Sequence, residues 1–174
     1  MIVPNLGNSE EHGRQMDLQT VARLTRLPVR KIRYVLDHRL LPRLRVAGQP
    51  DLVGRARILT DLEGFAVACA AILLESGVRK EAVVEFMAGL SDFPVGKRRD
   101  DKHPVYAVQK AFEARGTPAE AMLADWTNLR FKFGHQDTGW VQPRTYAPLA
   151  DMYQPRVVIS IDLASLRDAF FADR

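Results

Sequence analysis

The chain has 174 residues, 47% hydrophobic and 26% charged, so it is long enough to bury the core of one domain or of two small ones. A single cysteine excludes an internal disulfide and a cysteine-based metal cage. The longest apolar run, 65–74, is too short to span a bilayer, and residues 1–15 lack the apolar stretch of a signal peptide. We therefore expect a soluble cytoplasmic protein that begins with a flexible leader over residues 1–15.

Positive charge is concentrated in one part of the chain. Residues 26–57 carry nine arginines and lysines against two aspartates, a net charge of +7. The whole chain carries only +4, so the remainder is at −3. A local excess of this size predicts a polyanion as the partner.

Two short helices joined by a tight turn are the first predicted elements. Asp17 can cap a helix over 18–25, and Pro28 suits the first position of a second helix that runs to about His38. The apolar residues of the second helix form an inner stripe: Val29, Ile32, Val35 and Leu36. Its other positions are largely basic, which is typical of a recognition helix but also of a solvated cationic helix in a bundle.

The next segment predicts a β-hairpin, because two short alternating stretches, 43–46 and 53–59, flank a loop of Gly, Pro and Asp. Its outward positions are mostly arginine: Arg43, Arg45, Arg55 and Arg57. An edge charged only against aggregation could equally use lysine and glutamate, whereas arginine without glutamate favours phosphate. The hairpin is therefore interpreted as a wing that holds the DNA backbone.

A third helix is predicted from the capping-box spacing of Thr60 and Glu63, running to Ser76 and ending at Gly77. Cys69 lies on its apolar face, which favours a core residue over a reactive thiol. A fourth helix is predicted over 79–87.

Several of these stretches carry a family resemblance: 18–25, 29–34, 40–42, 57–62 and 72–83. Together they resemble the MerR-type winged helix-turn-helix, a DNA-binding family, over about residues 16–90. The resemblance implies that Arg33 and Tyr34 contact DNA, and it extends more weakly to Lys31 and the wing arginines.

The chain also departs from the pattern of that family. Arg26 stands where the family usually has a glycine in the turn, and Val35 replaces a second tyrosine. Ile58 and Leu59 replace the tyrosines of the wing. Classical members continue into a long dimerising helix, which the prolines at 94 and 104 exclude here.

The second half is predicted as a linker over 91–104 followed by a small α+β module over 105–174. Helices are predicted over 105–115 and from Thr117 to about Trp126 or Asn128, with a final helix capped by Asp162. The predicted strands are 129–133, 139–141 and 156–161. The last strand suits burial on both faces, and one of Phe170 and Phe171 should be exposed, so this region is predicted to form a homodimer.

No catalytic set or cofactor motif is apparent. The histidines are scattered and lack partners at ligand spacing: His12, His38, His103 and His135. Asp100, Asp101 and His103 could bind a cation, although a solvated linker is the stronger interpretation. Four aromatic residues could line a ligand pocket or serve as core and interface residues: Trp126, Trp140, Tyr146 and Tyr153. We therefore predict neither an enzyme nor a cofactor.

The sequence thus predicts an α+β, mostly helical fold with a winged helix-turn-helix at 16–90. The predicted function is a DNA-binding transcriptional regulator whose second helix enters the major groove. The predicted DNA contacts are Arg30, Lys31, Arg33, Tyr34, His38, Arg43, Arg45, Arg55 and Arg57. The predicted partners are double-stranded DNA and a second copy, with a protein partner or small-molecule effector left open. The alternative is a protein-interaction or antitoxin-like module, which the net charge of +7 at 26–57 disfavours.

Overall fold

The structure is a computed structural model that describes residues 14–41, 57–97, 99 and 102–172. Within these residues the chain forms six helices and small antiparallel sheets, so the predicted α+β class is confirmed. The helices are α1 Leu18–Thr25, α2 Val29–Asp37, α3 Asp61–Glu75, α4 Lys80–Asp92, α5 Ala107–Glu113 and α6 Leu163–Phe171. No helix in the described part is both long and apolar enough to cross a membrane.

The strands form two small ribbons and one larger sheet. They are β1 Gln15–Asp17, β2 Ile58–Thr60, β3 Pro94–Lys97, β4 Pro104–Tyr106, β5 Ala119–Ala124, β6 Asn128–Phe133, β7 Gln136–Asp137 and β8 Val158–Asp162. β1 pairs with β2 and β3 pairs with β4, while the larger sheet has the order β7-β6-β5-β8. All described pairs are antiparallel.

Helix α1 begins as its sequence predicts. The Asp17 carboxylate accepts a hydrogen bond of 2.7 Å from the amide of Thr20, and this bond lowers the pKa of Asp17. The leader prediction needs a correction at its end, because Gln15 already belongs to β1 and pairs with Thr60. A three-residue strand has too few positions to show the alternation by which strands are predicted.

Helix α2 starts one residue later than predicted. Pro28 has an extended backbone and is the N-cap rather than the first helical residue. At the other end, the Leu40 amide donates to the Val35 carbonyl at 3.0 Å and the Arg39 amide donates to the Leu36 carbonyl at 3.2 Å. This pattern is a Schellman motif, so Arg39 occupies its left-handed position with φ 51°.

Helix α3 lies at the centre of the molecule. Its predicted capping box is confirmed, with the Thr60 amide donating to Glu63 at 2.7 Å and the Glu63 amide donating to Thr60 at 3.2 Å. Most of its residues are buried, including Cys69, whose exposure is 0%. The predicted assignment of Cys69 to the core is therefore confirmed.

The segment predicted as a linker contains regular structure. Helix α4 continues to Asp92, five residues beyond the predicted end. It stops there because Phe93 precedes Pro94, and a residue before a proline disfavours the helical conformation. β3 and β4 then form a ribbon, and the Ala107 amide at the start of α5 donates to the Phe93 carbonyl at 2.8 Å. Both strands therefore pack against α5, and β4 also packs against α4.

The helix predicted from Thr117 to about Trp126 or Asn128 is wrong. Residues 119–124 form β5, which pairs with β6 on one side and β8 on the other. Ala, Glu, Met and Leu favour a helix locally, but pairing on both sides outweighs that propensity. Ala121 and Leu123 point to the helix-covered face together with Phe131 and Ile161.

Of the remaining strand predictions, one is confirmed, one is reduced to a single bridge and one is shifted. β6 covers the predicted 129–133, and Val141 of the predicted 139–141 strand forms a bridge with Leu129. β8 is shifted from 156–161 to Val158–Asp162 and is exposed on one face rather than buried on both. Asp162 caps α6 by accepting from the Ser165 amide at 2.9 Å, as predicted.

One hydrophobic cluster extends through both halves of the chain, from Val21 of α1 to Phe170 of α6. The Phe65 and Phe170 rings lie 6.2 Å apart. Phe170 is 1% exposed, whereas Phe171 packs on Phe112 and is covered by the Arg115 guanidinium at 3.7 Å. The last turn of α6 therefore offers less apolar surface than the sequence predicted.

Candidate nucleic-acid interface

Helix α2 has one buried and one exposed side. Ile32, Val35 and Leu36 are 0–5% exposed and pack into the core. The opposite side carries Arg30, Arg33, Tyr34, Asp37 and His38, all exposed. The 3.6-residue period of the sequence dictates this division, because the apolar residues recur every three or four positions.

Tyr34 and His38 form a contacting pair on the exposed side, four residues apart. Their ring centroids are 3.9 Å apart, and Tyr34 remains 37% exposed. Arg30 precedes Arg33 by three positions and Tyr34 by four, so these predicted contact residues share one side of the helix. We call this surface the α2 cationic face: Arg30, Arg33, Tyr34 and His38.

Lys31 has a different environment from the other predicted contacts. Its Nζ lies 3.6 Å from the Glu75 carboxylate and 3.5 Å from the Leu74 carbonyl at the end of α3. A lysine near the last carbonyls of a helix interacts favourably with the helix dipole. Lys31 therefore ties α2 to α3, and it is only partly available to an external anion.

Arg57 also forms an internal contact that the sequence did not reveal. Its Nη2 lies 2.6 Å from the Asp37 carboxylate of α2. The pair is partly exposed, with side-chain exposures of 30% and 44%, so it contributes at most about 1 kcal/mol to stability. It joins the end of the predicted wing to the α2 cationic face and neutralises the acidic side chain on that face.

Two arginines beside the α2 cationic face have left-handed backbones. Arg26, in the turn before α2, has φ 57° and ψ 27°. Arg39, after α2, has φ 51°. Both are exposed, and each costs about 1 kcal/mol or more relative to glycine. The sequence signalled the first position, because a glycine was expected there, but gave no signal for the second.

The remaining predicted contacts lie outside the described residues: Arg43, Arg45 and Arg55. At the described end of the wing, Leu59 is 0% exposed and Ile58 is 41% exposed. β2 pairs with β1, which fixes the start of α3 against the strand before α1. The described end of the predicted wing therefore contacts the rest of the molecule through Arg57 and β2.

The other candidate sites receive little support. Neither of two surface cavities, of about 500 and 630 Å³, is lined by Trp126, Trp140, Tyr146 or Tyr153. The Tyr153 hydroxyl donates to the Asp125 carboxylate at 2.6 Å and accepts from the Asn128 side chain at 2.8 Å, so it holds a loop. Asp100 and Asp101 lie outside the described residues, and the described residues contain no group of three or more metal-ligating side chains.

Family models, curated proteins and solved structures were compared with the chain, and none matches it.

Proposed function

We propose that this protein is a DNA-binding transcriptional regulator and that α2 is its recognition helix. The observation that carries the proposal is the α2 cationic face, which is exposed along the side opposite the buried Ile32, Val35 and Leu36. An α-helix fits the major groove of B-DNA, where arginine can donate two hydrogen bonds to guanine. Arg30 and Arg33 are the residues we assign to this contact.

Charge on the same face supports the assignment. Asp37 would repel phosphate if its carboxylate were unpaired, but Arg57 neutralises it at 2.6 Å. Arg26 and Arg39 add positive charge at the two ends of α2. An exposed helix that only needed solubility would gain nothing from arginine at two left-handed positions.

The predicted contacts then divide by role. Arg30, Arg33 and Tyr34 face the groove, and His38 supports Tyr34 through the ring contact. Lys31 and Arg57 position α2 and the wing through Glu75 and Asp37. We retain Arg43, Arg45 and Arg55 as predicted phosphate contacts of the wing.

We further propose that the regulator acts as a homodimer through its C-terminal part. A lone module of this size buries only roughly 600–1,000 Å² on DNA. Useful specificity usually requires two copies on a two-fold symmetric site.

The decisive experiment is a selection of bound sequences from random DNA, followed by affinity measurements on Arg33→Ala. If Arg33 contacts a base, the variant should lose about 1–3 kcal/mol on the selected site and less on random DNA. If it contacts phosphate, the loss should be similar on both, and the slope of log affinity against log salt should fall by about one.

Arg79→Ala is the matched control, because Arg79 is an exposed arginine at the start of α4, outside the α2 cationic face. It should leave DNA affinity nearly unchanged. A folded Arg33→Ala protein that binds the selected DNA as tightly as the parent would contradict the assignment. Failure of the parent protein to select any DNA would favour the protein-interaction alternative.

A further inference from the structure

The two edges of the four-stranded sheet differ in length and chemistry. The edge strand β7 has only two residues, Gln136 and Asp137, both polar and exposed. The opposite edge strand, β8, has five residues, and Val157 and Val158 at its start are 41% and 45% exposed. Proteins usually protect free edges with short strands, charges or bulges, because an open apolar edge pairs with other chains. The β7 edge is short and polar, whereas the β8 edge is longer and begins with exposed valines.

The backbone of β8 has unpaired groups on its outer side. The Asp125 amide donates to the Val157 carbonyl at 2.9 Å, so Val157 directs its carbonyl towards β5. Because this direction alternates along a strand, the N–H and C=O groups of Val158 and Ser160 point away from β5. Within the described residues no strand pairs with this side of β8.

We infer that two copies of the chain pair antiparallel through their β8 edges, with Ile159 on the two-fold axis. This inference rests on the proposed homodimer and identifies its surface. Val158 of each copy then lies opposite Ser160 of the other, and their backbones form four hydrogen bonds. The two four-stranded sheets become one continuous sheet across the dimer.

Charges on the outer face of the sheet select this register. Four residues lie directly opposite one another in a row across the strands: Asp137, Lys132, Glu120 and Asp162. The row ends at the free edge with two neighbouring carboxylates, of which Asp162 also accepts hydrogen bonds from Ser165. In the inferred register the partner's Arg156 lies next to Asp162 and continues the row with a positive charge. The two-fold axis provides this contact twice.

Neighbouring registers lack this complementarity. Centring the axis on Val158 places Arg156 opposite Ser160, and centring it on Ser160 places Val158 opposite Asp162. An open groove of about 630 Å³ borders this edge, lined by Ser160 and Asp162 and also by residues 23–26 at the end of α1. Arg156 is exposed, and its backbone amide is held at 3.0 Å by Asp125, so its side chain begins from a fixed position.

Single cysteine substitutions test the register directly. In an antiparallel pair, two residues opposite each other without mutual hydrogen bonds have Cα atoms about 4.5 Å apart, within the range of about 4.4–6.8 Å for a disulfide. Oxidised Ile159→Cys should therefore form a covalent dimer without DNA. The parent protein is the control, since its one cysteine, Cys69, is fully buried and burial raises its thiol pKa.

Val158→Cys and Ser160→Cys distinguish the registers. Each residue would lie diagonally across from the same residue of the partner, with the two about 7–8 Å apart and beyond the reach of a disulfide. Neither single variant should therefore cross-link. The variant carrying both substitutions should cross-link, because Val158 and Ser160 lie opposite each other. Cross-linking of either single variant would overturn the inferred register.

Sedimentation equilibrium without DNA provides the second measurement. Arg156→Glu should weaken dimerisation on the order of tenfold, because it turns two opposite-charge contacts into like-charge contacts. Arg79→Glu, with the same charge change on the exposed residue that precedes α4, should not. A monomeric parent, or a parent dimer with no cross-link in Ile159→Cys, would overturn the inference. Either result would leave the Arg33 test of DNA binding intact.

Discussion

Arginine serves opposite purposes in the two halves of this molecule. Around α2, Arg26, Arg30, Arg33 and Arg39 are exposed and lie on or beside one surface. In the second half, Arg167 is 1% exposed, and its Nη1 donates to the carbonyls of Ala111, Ala114 and Thr117 at 3.2, 2.6 and 3.0 Å. Replacing Arg30 or Arg33 should therefore affect binding with little effect on stability, and replacing Arg167 should do the reverse.

The largest expected effect is on stability, at Arg167. Arg167→Met would leave three carbonyls without their donor, that of Ala111 in the last turn of α5 and those of Ala114 and Thr117 in the loop before β5. Breaking a buried charged interaction of this kind costs about 3–5 kcal/mol in the free energy of unfolding. Urea unfolding followed by circular dichroism measures the loss.

Arg144→Ala is the control for that measurement. Arg144 contacts Glu85 at 2.8 Å, but both side chains are about half exposed, at 59% and 48%. Its loss should cost less than about 1 kcal/mol. Equal losses in the two variants would contradict the division of roles between buried and exposed arginines.

Helices α2 and α3 both end in a Schellman motif, with Arg39 at the left-handed position after α2 and Gly77 at that position after α3. Substitutions at these two positions should have a smaller effect on stability. Gly77 occupies the left-handed position after α3 with φ 85°, and a side chain there would meet no atom within 4 Å. Gly77→Ala should therefore destabilise the protein by about 1 kcal/mol through backbone strain alone.

Arg39→Gly is the reciprocal substitution. It should stabilise the protein by up to about 1 kcal/mol, because glycine removes the same strain. If Arg39 also contributes to the proposed DNA surface, DNA affinity should fall as thermal stability rises. Loss of stability in Arg39→Gly would show that the arginine side chain has a packing role.

The smallest expected effect is a loss of stability as the pH falls into the acid range. The Arg130 guanidinium donates to Asp137 at 2.9 Å and lowers the pKa of that carboxyl. When the pKa of a carboxyl is lower in the folded than in the unfolded protein, its ionised form stabilises the fold at pH values above the unfolded-state pKa. This contribution is lost as the pH falls through the folded-state pKa. Melting temperature should therefore decrease below about pH 4.

Asp137→Asn should make that decrease shallower, and melting curves between pH 2 and pH 7 on the two proteins provide the comparison. The change should be small, because the pair is partly exposed, with side-chain exposures of 29% and 37%. An unchanged acid dependence would indicate that other carboxylates, such as Asp162, dominate it.

Local side-chain signals predicted the helices well and the sheet poorly. Asp17, Thr60 and Asp162 cap helices as expected, since capping depends on residues three positions apart. The sequence of β5 predicts a helix, because its strand conformation depends on pairing with β6 and β8. Of these two strands, β8 lies far from β5 along the chain. The ribbon of β3 and β4 gives no signal for a different reason, because strands of four and three residues are too short to show the alternation by which strands are predicted.

The candidate site, like the fold, could be predicted from the sequence only in part. The exposure of Arg33 and Tyr34 follows from helical periodicity. The contact of Arg57 with Asp37 does not, because it joins residues twenty positions apart. Such contacts arise from the tertiary arrangement, which leaves no periodic trace in sequence.

The position of α6 in the core has a consequence for how the protein is made. Leu163 and Phe170 complete a hydrophobic cluster that begins at Met16, and they pack against α3. During synthesis α3 leaves the ribosome many residues before α6 does. The apolar side of α3 therefore stays exposed to solvent until α6 has been made. Chaperones that bind nascent apolar segments would have their longest opportunity here, and a ribosome stalled before residue 163 would hold a chain that cannot yet close its core.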